Sequence, residues 1–364
     1  MEQQHRKVSV RLYEIDLLRF LAALAVVFFH YTHCGYEEGN LSPIPFLELS
    51  PITKYGYLGV ELFFIISGYV VLLSAQGKTV RQFFLSRIIR LFPAFWVACT
   101  LTFVVQKIWG PGPTDIHMSP LLTANISHYL YNMTMLYDFF GIPALDGSYW
   151  SLTTEITFYF LVSLLISYKL VHRIDFVLIA WLGLVMLPGW NKGFGPFAFL
   201  FIIGYAPYFI AGMLFYLIQQ PGGRTWFRYV LLGVAYILAI RTGFSKAAVL
   251  TTTYHGVLSR GVVITVITCF FLLFLLITLG KTDLSRLTWL SWLGSLTYPL
   301  YLVHGSIGFI IFHRVGHLMN KYILLVATLG LMLMVAYLIH VLIEKRYSKK
   351  LGTQVAKLLT YFDV

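Results

Sequence analysis

The stretch ITVITCFFLLFLLITLG, residues 264–280, contains no charged side chain. It lies inside an apolar run long enough to cross a hydrocarbon core of about 30 Å, which takes about 20 helical residues. VVFFH (26–30) and LFFIISGYVVLL (62–73) lie inside similar runs. Working outward from these, spans are predicted at 17–34, 57–75, 92–109, 150–168, 174–190, 196–218, 226–240, 258–280, 289–312 and 322–343. The seventh is the shortest. The expected fold is therefore all-α, a polytopic transmembrane helix bundle of about ten spans. Composition agrees: 58% of the 364 residues are hydrophobic and 12% charged, against about 25% charged in a soluble domain. Too little polar surface exists to cover a water-soluble globule.

The net charge of +12 does not indicate a nucleic-acid partner, because no compact basic domain is present to carry one. With the N-terminus inside, the inner segments hold most of the Lys and Arg and the outer loops few, which predicts both termini in the cytoplasm. Residues 1–16 then form a cytoplasmic N-terminal segment, 17–343 the transmembrane domain and 344–364 a cytoplasmic tail. The outer loop at about 110–148 has no Lys or Arg but carries Pro111, Pro113, Asp115, Asp138 and Asp146. A loop of this length can act as a lid or binding surface. The first apolar segment contains Arg19 and His30 and lacks a small-residue cleavage site, so it reads as a retained span rather than a signal peptide. Cys34, Cys99 and Cys269 form no CxxC pair, so neither zinc nor a disulfide framework is expected, and packing roles are.

Charged groups inside a bilayer are costly and usually face a cavity or a partner. In EIDLLRFLAALAVVFFH (14–30), Arg19 and His30 are eleven residues apart, which places them on one helix face about 16 Å apart along the axis. Asp16 stands three residues before Arg19, at ion-pair spacing. GVELFFIISGY (59–69) carries Glu61 toward its outer end and Ser67, with Gly59 and Gly68 allowing close helix packing. In SRIIRLFPAFW (86–96), Arg87 and Arg90 share a face at the inner mouth. They satisfy the positive-inside bias and also suit a guanidinium fork for phosphate groups. In GSYWSLTTEITFY (147–159), Tyr149 and Trp150 fit either an interfacial aromatic belt or a stacking platform for a sugar, and Glu155 lies two turns deeper.

Depth arithmetic at about 1.5 Å per residue brings His30, Glu155 and His304 to one outer layer. Arg19, Arg87, Arg90 and Glu344 fall in an inner, largely cationic layer. A histidine beside a carboxylate can serve as a general base, the carboxylate orienting the ring. That pairs His30 with Glu155 as candidate catalytic groups. A cationic inner mouth suits a phosphorylated cytoplasmic donor. Metal binding by His30 and His33 lacks an accompanying ligand set, so no metal is expected.

In order and spacing these motifs resemble the acyltransferase 3 family over roughly residues 12–346. The resemblance rests on Arg19-x10-His30 with Asp16 upstream and on GVELFFIISGY with Glu61 and Ser67. It extends to Arg87-Ile88-Ile89-Arg90, to Trp150-Ser151-Leu152 with Glu155, and to LGSLTYPLYLVH (293–304) with Tyr298 and His304. Glu344-Lys345 follows the last span, where the family often has Pro two residues on and this chain has Arg346. The resemblance implies an O-acyltransferase of a bacterial cytoplasmic membrane. It would move an acyl group, acetyl above others, from cytoplasmic acyl-CoA to a hydroxyl of a cell-surface glycan or lipid-linked sugar. Acyl-CoA is then a co-substrate and no prosthetic group is needed. His30 and Glu155 would be catalytic, Arg19, Arg87 and Arg90 would hold the donor, and Tyr149 and Trp150 the acceptor. Asp16, Glu61, Ser67, Tyr298, His304 and Glu344 would support them. No esterase-like domain follows, so a stand-alone enzyme is expected. Rival readings are acylation of an antibiotic or other small molecule, and a proton-coupled secondary transporter. No inverted repeat favours the transporter.

Overall fold

A computed structural model describes residues 12–187, 195–254 and 256–361. Among these residues every regular element is helical. The long elements are α1 (Tyr13–Phe29), α2 (Gly59–Ala75), α3 (Val80–Trp109), α4 (Trp150–Ser167), α5 (Ile174–Met186) and α6 (Ala206–Gln219). They continue with α7 (Trp226–Thr253), α8 (Arg260–Thr278), α9 (Leu290–Val303), α10 (Gly305–Val315), α11 (Lys321–Ile339) and α12 (Lys345–Tyr361).

Each of the ten expected segments contains a helix, but they are not all full spans. Among the described residues seven helices are long and apolar enough to cross a membrane, and the count is eight if α9 and α10, bent by 64° to each other, are one broken span rather than a re-entrant loop. The fifth and sixth segments yield only α5 and α6, of 13 and 14 residues, about 20 Å of helix each. Positions 188–190 of the fifth expected span, and 1–11 of the N-terminal segment, lie outside the described residues. The seventh segment, expected to be short, is instead a 28-residue helix. The third begins at Val80 rather than 92, because Thr79 and Gln82 form a reciprocal capping box there. It runs on through Pro93.

The bundle is built around α6, whose residues Ala206–Ile218 are all buried. A helix apolar on every side belongs in the middle. Its contact with α2 is a backbone-to-backbone one. A Cβ on Gly68 would overlap the Phe209 carbonyl, and one on Gly212 would overlap the Ile65 carbonyl. Small residues at a membrane helix crossing permit this approach, which confirms the packing role expected of Gly68. Cys34 and Cys99 are buried, whereas Cys269 is exposed on α8. α12 follows α11 through a π-helical turn, His340–Glu344. It docks along the start of α3, where Arg81 donates to the Ala356 carbonyl at 2.8 Å.

Candidate active site

The site is organised by the break between α9 and α10. Pro299 weakens the end of α9 by removing a backbone donor, and the chain turns at His304. A helix end leaves carbonyls and amides unpaired, and the segment 145–149 supplies their partners. The Tyr149 hydroxyl donates to the Leu302 carbonyl at 3.1 Å, and Tyr31 donates to the His304 carbonyl at 2.7 Å. The Asp146 carboxylate accepts the Ser306 amide at the start of α10 (2.6 Å), together with the amide (2.9 Å) and hydroxyl (2.7 Å) of Ser148. An acid there also complements the positive end of α10. Gly305 makes room for it, since a Cβ at that position would overlap the Asp146 carboxylate.

This break delivers His304, fully buried, against His30. His304 Nε2 lies 3.0 Å from His30 Nδ1, and His304 Nδ1 lies 2.7 Å from the Tyr301 carbonyl. His30 Nδ1 is also 3.0 Å from the Val26 carbonyl. A carbonyl can only accept, so both Nδ1 atoms carry the proton. His304 Nε2 is then a lone pair facing the proton of His30 Nδ1. The remaining nitrogen of His30, Nε2, keeps its lone pair. An imidazole so oriented can take a proton, with a second imidazole behind it to hold the charged form. The turn from His30 to Cys34 is π-helical, and such turns are frequent at functional sites. His30 and Cys34 at its ends, and Glu38 beyond it, line one cavity.

That cavity, on the side of the loop 110–148 and called outer for that reason, measures about 350 Å³. Its polar lining comes from His30, Glu38, Tyr57, Glu61, Asp146, Ser148, Trp150, Lys246, Tyr254 and Ser306, and Leu121 and Leu122 of the outer loop help to close it. Glu38 accepts from Cys34 and from the Tyr254 hydroxyl, each at 3.3 Å. The Lys246 ammonium stands 5.1 Å above the Trp150 ring, which also packs against Tyr205.

A second, inner cavity of about 90 Å³ is lined by Arg19, Ser67, Arg90, Ser151, Glu155, Tyr298 and others. Glu155 Oε1 accepts from Ser67 at 3.0 Å and from Tyr159 at 2.5 Å. Arg19 is within electrostatic reach of Arg90, Asp16 and Glu155. Asp16 packs directly on Gly294, which leaves no space for a side chain there. Tyr298 donates to the Leu91 carbonyl at 3.1 Å. Val60 and Tyr301 line both cavities and so form the wall between them.

Several expectations change. Glu155 belongs to the arginine cavity, and the partner of His30 is His304. The depth arithmetic took no account of residues 145–149, which fold into the bundle to staple the α9–α10 break ahead of α4, and Glu155 lines the other cavity. Tyr149 is no sugar platform: it is fully buried, packs on Phe95 and spends its hydroxyl on the break. Trp150 does line the outer cavity. Arg87 and Arg90 share a helix face but not a task. Arg90 faces the inner cavity, while Arg87 donates to Ser74 at 2.8 Å and lies between the Phe83 and Tyr159 rings, 5.5 Å from each. Glu344 lines neither cavity and pairs with His340 at 2.6 Å across the π-turn. Tyr57 and Lys246 were not singled out, and Asp146 only as one of several loop residues. Their signal lies in tertiary contacts, apart from the DGS turn signature at 146–148. Among the described residues no cluster of His, Cys, Asp and Glu has metal-holding geometry.

Fold and site together define a multi-pass membrane protein in which a half-buried His30 meets a buried His304 beside two cavities, one polar and one lined by arginines. The chain belongs to the acyltransferase 3 family, whose model, described as an acyltransferase domain, matches residues 12–343. It is similar to a peptidoglycan O-acetyltransferase of Listeria monocytogenes, 28% identical over 157 residues, which is 40% of this chain and 22% of that protein. It is also similar to nodulation protein 10 of Rhizobium leguminosarum, 29% identical over 166 residues, 42% of this chain and 43% of that protein. The matched region thus spans less than half of either relative. No solved structure matches the chain.

Proposed function

We propose that this chain is an O-acyltransferase of a bacterial cytoplasmic membrane. It moves an acyl group, acetyl above others, from cytoplasmic acyl-CoA to a hydroxyl of a cell-surface glycan or lipid-linked sugar. The observation that carries the reading is the His30–His304 pair, with His30 lining the outer cavity one wall away from the arginine cavity. Family membership and similarity to a peptidoglycan O-acetyltransferase support it. His30 Nε2 takes the proton of the acceptor hydroxyl as its oxygen bonds to the thioester carbonyl carbon. The C–S bond then breaks, and the CoA sulfur takes the proton back from His30. His304 accepts from Nδ1 of the charged His30 ring. Arg19 and Arg90 attract the donor's phosphates or its pantetheine arm from the inner side, and Glu155 orders them. The donor's acyl end must pass between Val60 and Tyr301 to reach His30. Both termini face the cytoplasm, in accord with the Lys and Arg distribution.

The test is transfer of radiolabelled acetyl from acetyl-CoA to isolated cell-wall glycan by the purified protein in lipid nanodiscs. Base-labile label on the glycan, lost in His30→Ala, is the expected result. Labelling equal in the two proteins would overturn the reading.

A further inference from the structure

Two buried polar atoms in the outer cavity have no hydrogen-bond partner in the protein: the Tyr57 hydroxyl and Glu61 Oε2. Both residues line that cavity, and they are 5% and 2% exposed. Tyr57 lies in the 3₁₀ turn Gly56–Leu58 and Glu61 in the first turn of α2. Four residues apart, they fall on one face. The turn carrying Tyr57 is pressed against α1, with the Tyr57 ring 6.0 Å from that of Phe29, the neighbour of His30. Buried polar groups are normally paired, and each exception calls for an explanation. The other two carboxylates of the cavity are engaged, Asp146 by Ser148 and Ser306 and Glu38 by Cys34 and Tyr254. Glu61 therefore offers a spare carboxylate oxygen beside a spare phenol.

We propose that Tyr57 and Glu61 form a subsite that reads the ring hydroxyls of a pyranose acceptor, a reading that rests on the outer cavity being the acceptor's. A carboxylate oxygen accepts from hydroxyls, and a phenol both donates and accepts. Together they suit a polyol rather than an apolar alcohol. Lys246 lies within electrostatic reach of Glu61 and lines the same cavity, so a positive charge is already at hand and the ligand need bring none. A cavity of about 350 Å³ holds one six-membered sugar ring. The pair thus determines specificity, selecting sugars over lipid alcohols and over small molecules that lack neighbouring hydroxyls.

Saturation-transfer NMR with the methyl β-pyranosides of glucose, galactose and N-acetylglucosamine tests this on purified wild type, Glu61→Gln and Tyr57→Phe. Cyclohexylmethanol serves as a ring of similar size without ring hydroxyls. Wild type is expected to bind at least one pyranoside about tenfold more tightly than either variant, the effect of one lost hydrogen bond to a buried polar group. Cyclohexylmethanol is expected to bind all three proteins alike. Melting temperatures separate a purely structural role. Tyr57→Phe removes no hydrogen bond within the protein, so it is expected to melt no lower than wild type, and a clear drop would count against the subsite. Equal pyranoside binding by all three proteins, or none by wild type, overturns the proposal. Acetyl transfer is measured on the same samples. A wild type that binds a pyranoside but transfers nothing refutes the transferase reading and leaves the subsite standing.

Discussion

Replacing His304 with alanine isolates what the second imidazole contributes. In the resting pair His30 Nδ1 has two acceptors, the Val26 carbonyl and His304 Nε2, each at 3.0 Å. The carbonyl survives the substitution, so the tautomer of His30 survives too. What is lost is the acceptor that stabilises His30 once it carries the second proton. A hydrogen bond to a charged group is worth about 1.5–3 kcal/mol, which at about 1.4 kcal/mol per decade lowers the rate by roughly 10- to 150-fold. Loss of His30 itself removes the base, an effect of about 10²–10⁴-fold. His304→Gln keeps an acceptor within reach and is expected to fall between alanine and wild type. KM for donor and acceptor is expected to stay within about twofold, since His304 acts through His30. The assay is single-turnover acetyl transfer divided by the folded fraction. That division matters because His304 also donates to the Tyr301 carbonyl at the helix break, a bond worth about 1 kcal/mol of stability. Wild-type turnover per folded molecule in His304→Ala would refute the dyad. A His30→Ala/His304→Ala double variant that loses the full product of the two single effects would refute it as well, since groups acting as one unit are not additive.

The two arginines of the RxxR element should separate: Arg90→Gln raises KM for acetyl-CoA at unchanged melting temperature. Arg87→Gln lowers stability by about 1–3 kcal/mol, because a cationic hydrogen bond and two ring contacts disappear; identical behaviour in donor titrations and melts would contradict the division. Gly305→Ala forces a methyl against the Asp146 carboxylate, and overpacking of this kind costs about 1–3 kcal/mol. A melt and a transfer assay should both show the loss, and an unaffected protein would mean that the break is not held as described. Reporter fusions at residue 115 should read outside and those at 80 and 360 inside; an outside signal at 360 would overturn the even crossing of the membrane.

Much of this protein is legible in its one-dimensional pattern. A run such as 264–280 is long and apolar enough to cross a bilayer, and a helix lets its backbone groups pair within their own segment there. The intramembrane charges stand out for the same reason: Arg19, His30, Arg90 and Glu155 interrupt apolar runs, and each lines a cavity. Periodicity also places Arg19 and His30 on one face, since an α-helix fixes angle and rise.

What periodicity could not supply is where one helix stands relative to another. Placing His30 with Glu155 assumed that both helices start at one level, whereas the two side chains line different cavities. Segment 145–149 sinks into the bundle because the α9–α10 break has carbonyls and amides to satisfy, and no local pattern reports a demand made by a helix 150 residues away. The same holds for Arg87 and Arg90, whose shared face was correct and whose different neighbours, Tyr159 on one side and Arg19 on the other, belong to other helices. It holds again for Tyr57 and Glu61, which read as a tyrosine and a carboxylate near a helix start. Only the packing of α1 and of the loops around them buries their polar atoms without a partner. Local geometry follows from bond angles and backbone pairing and is written in sequence order. Burial and side-chain pairing depend on which surfaces meet, and these the tertiary structure alone decides.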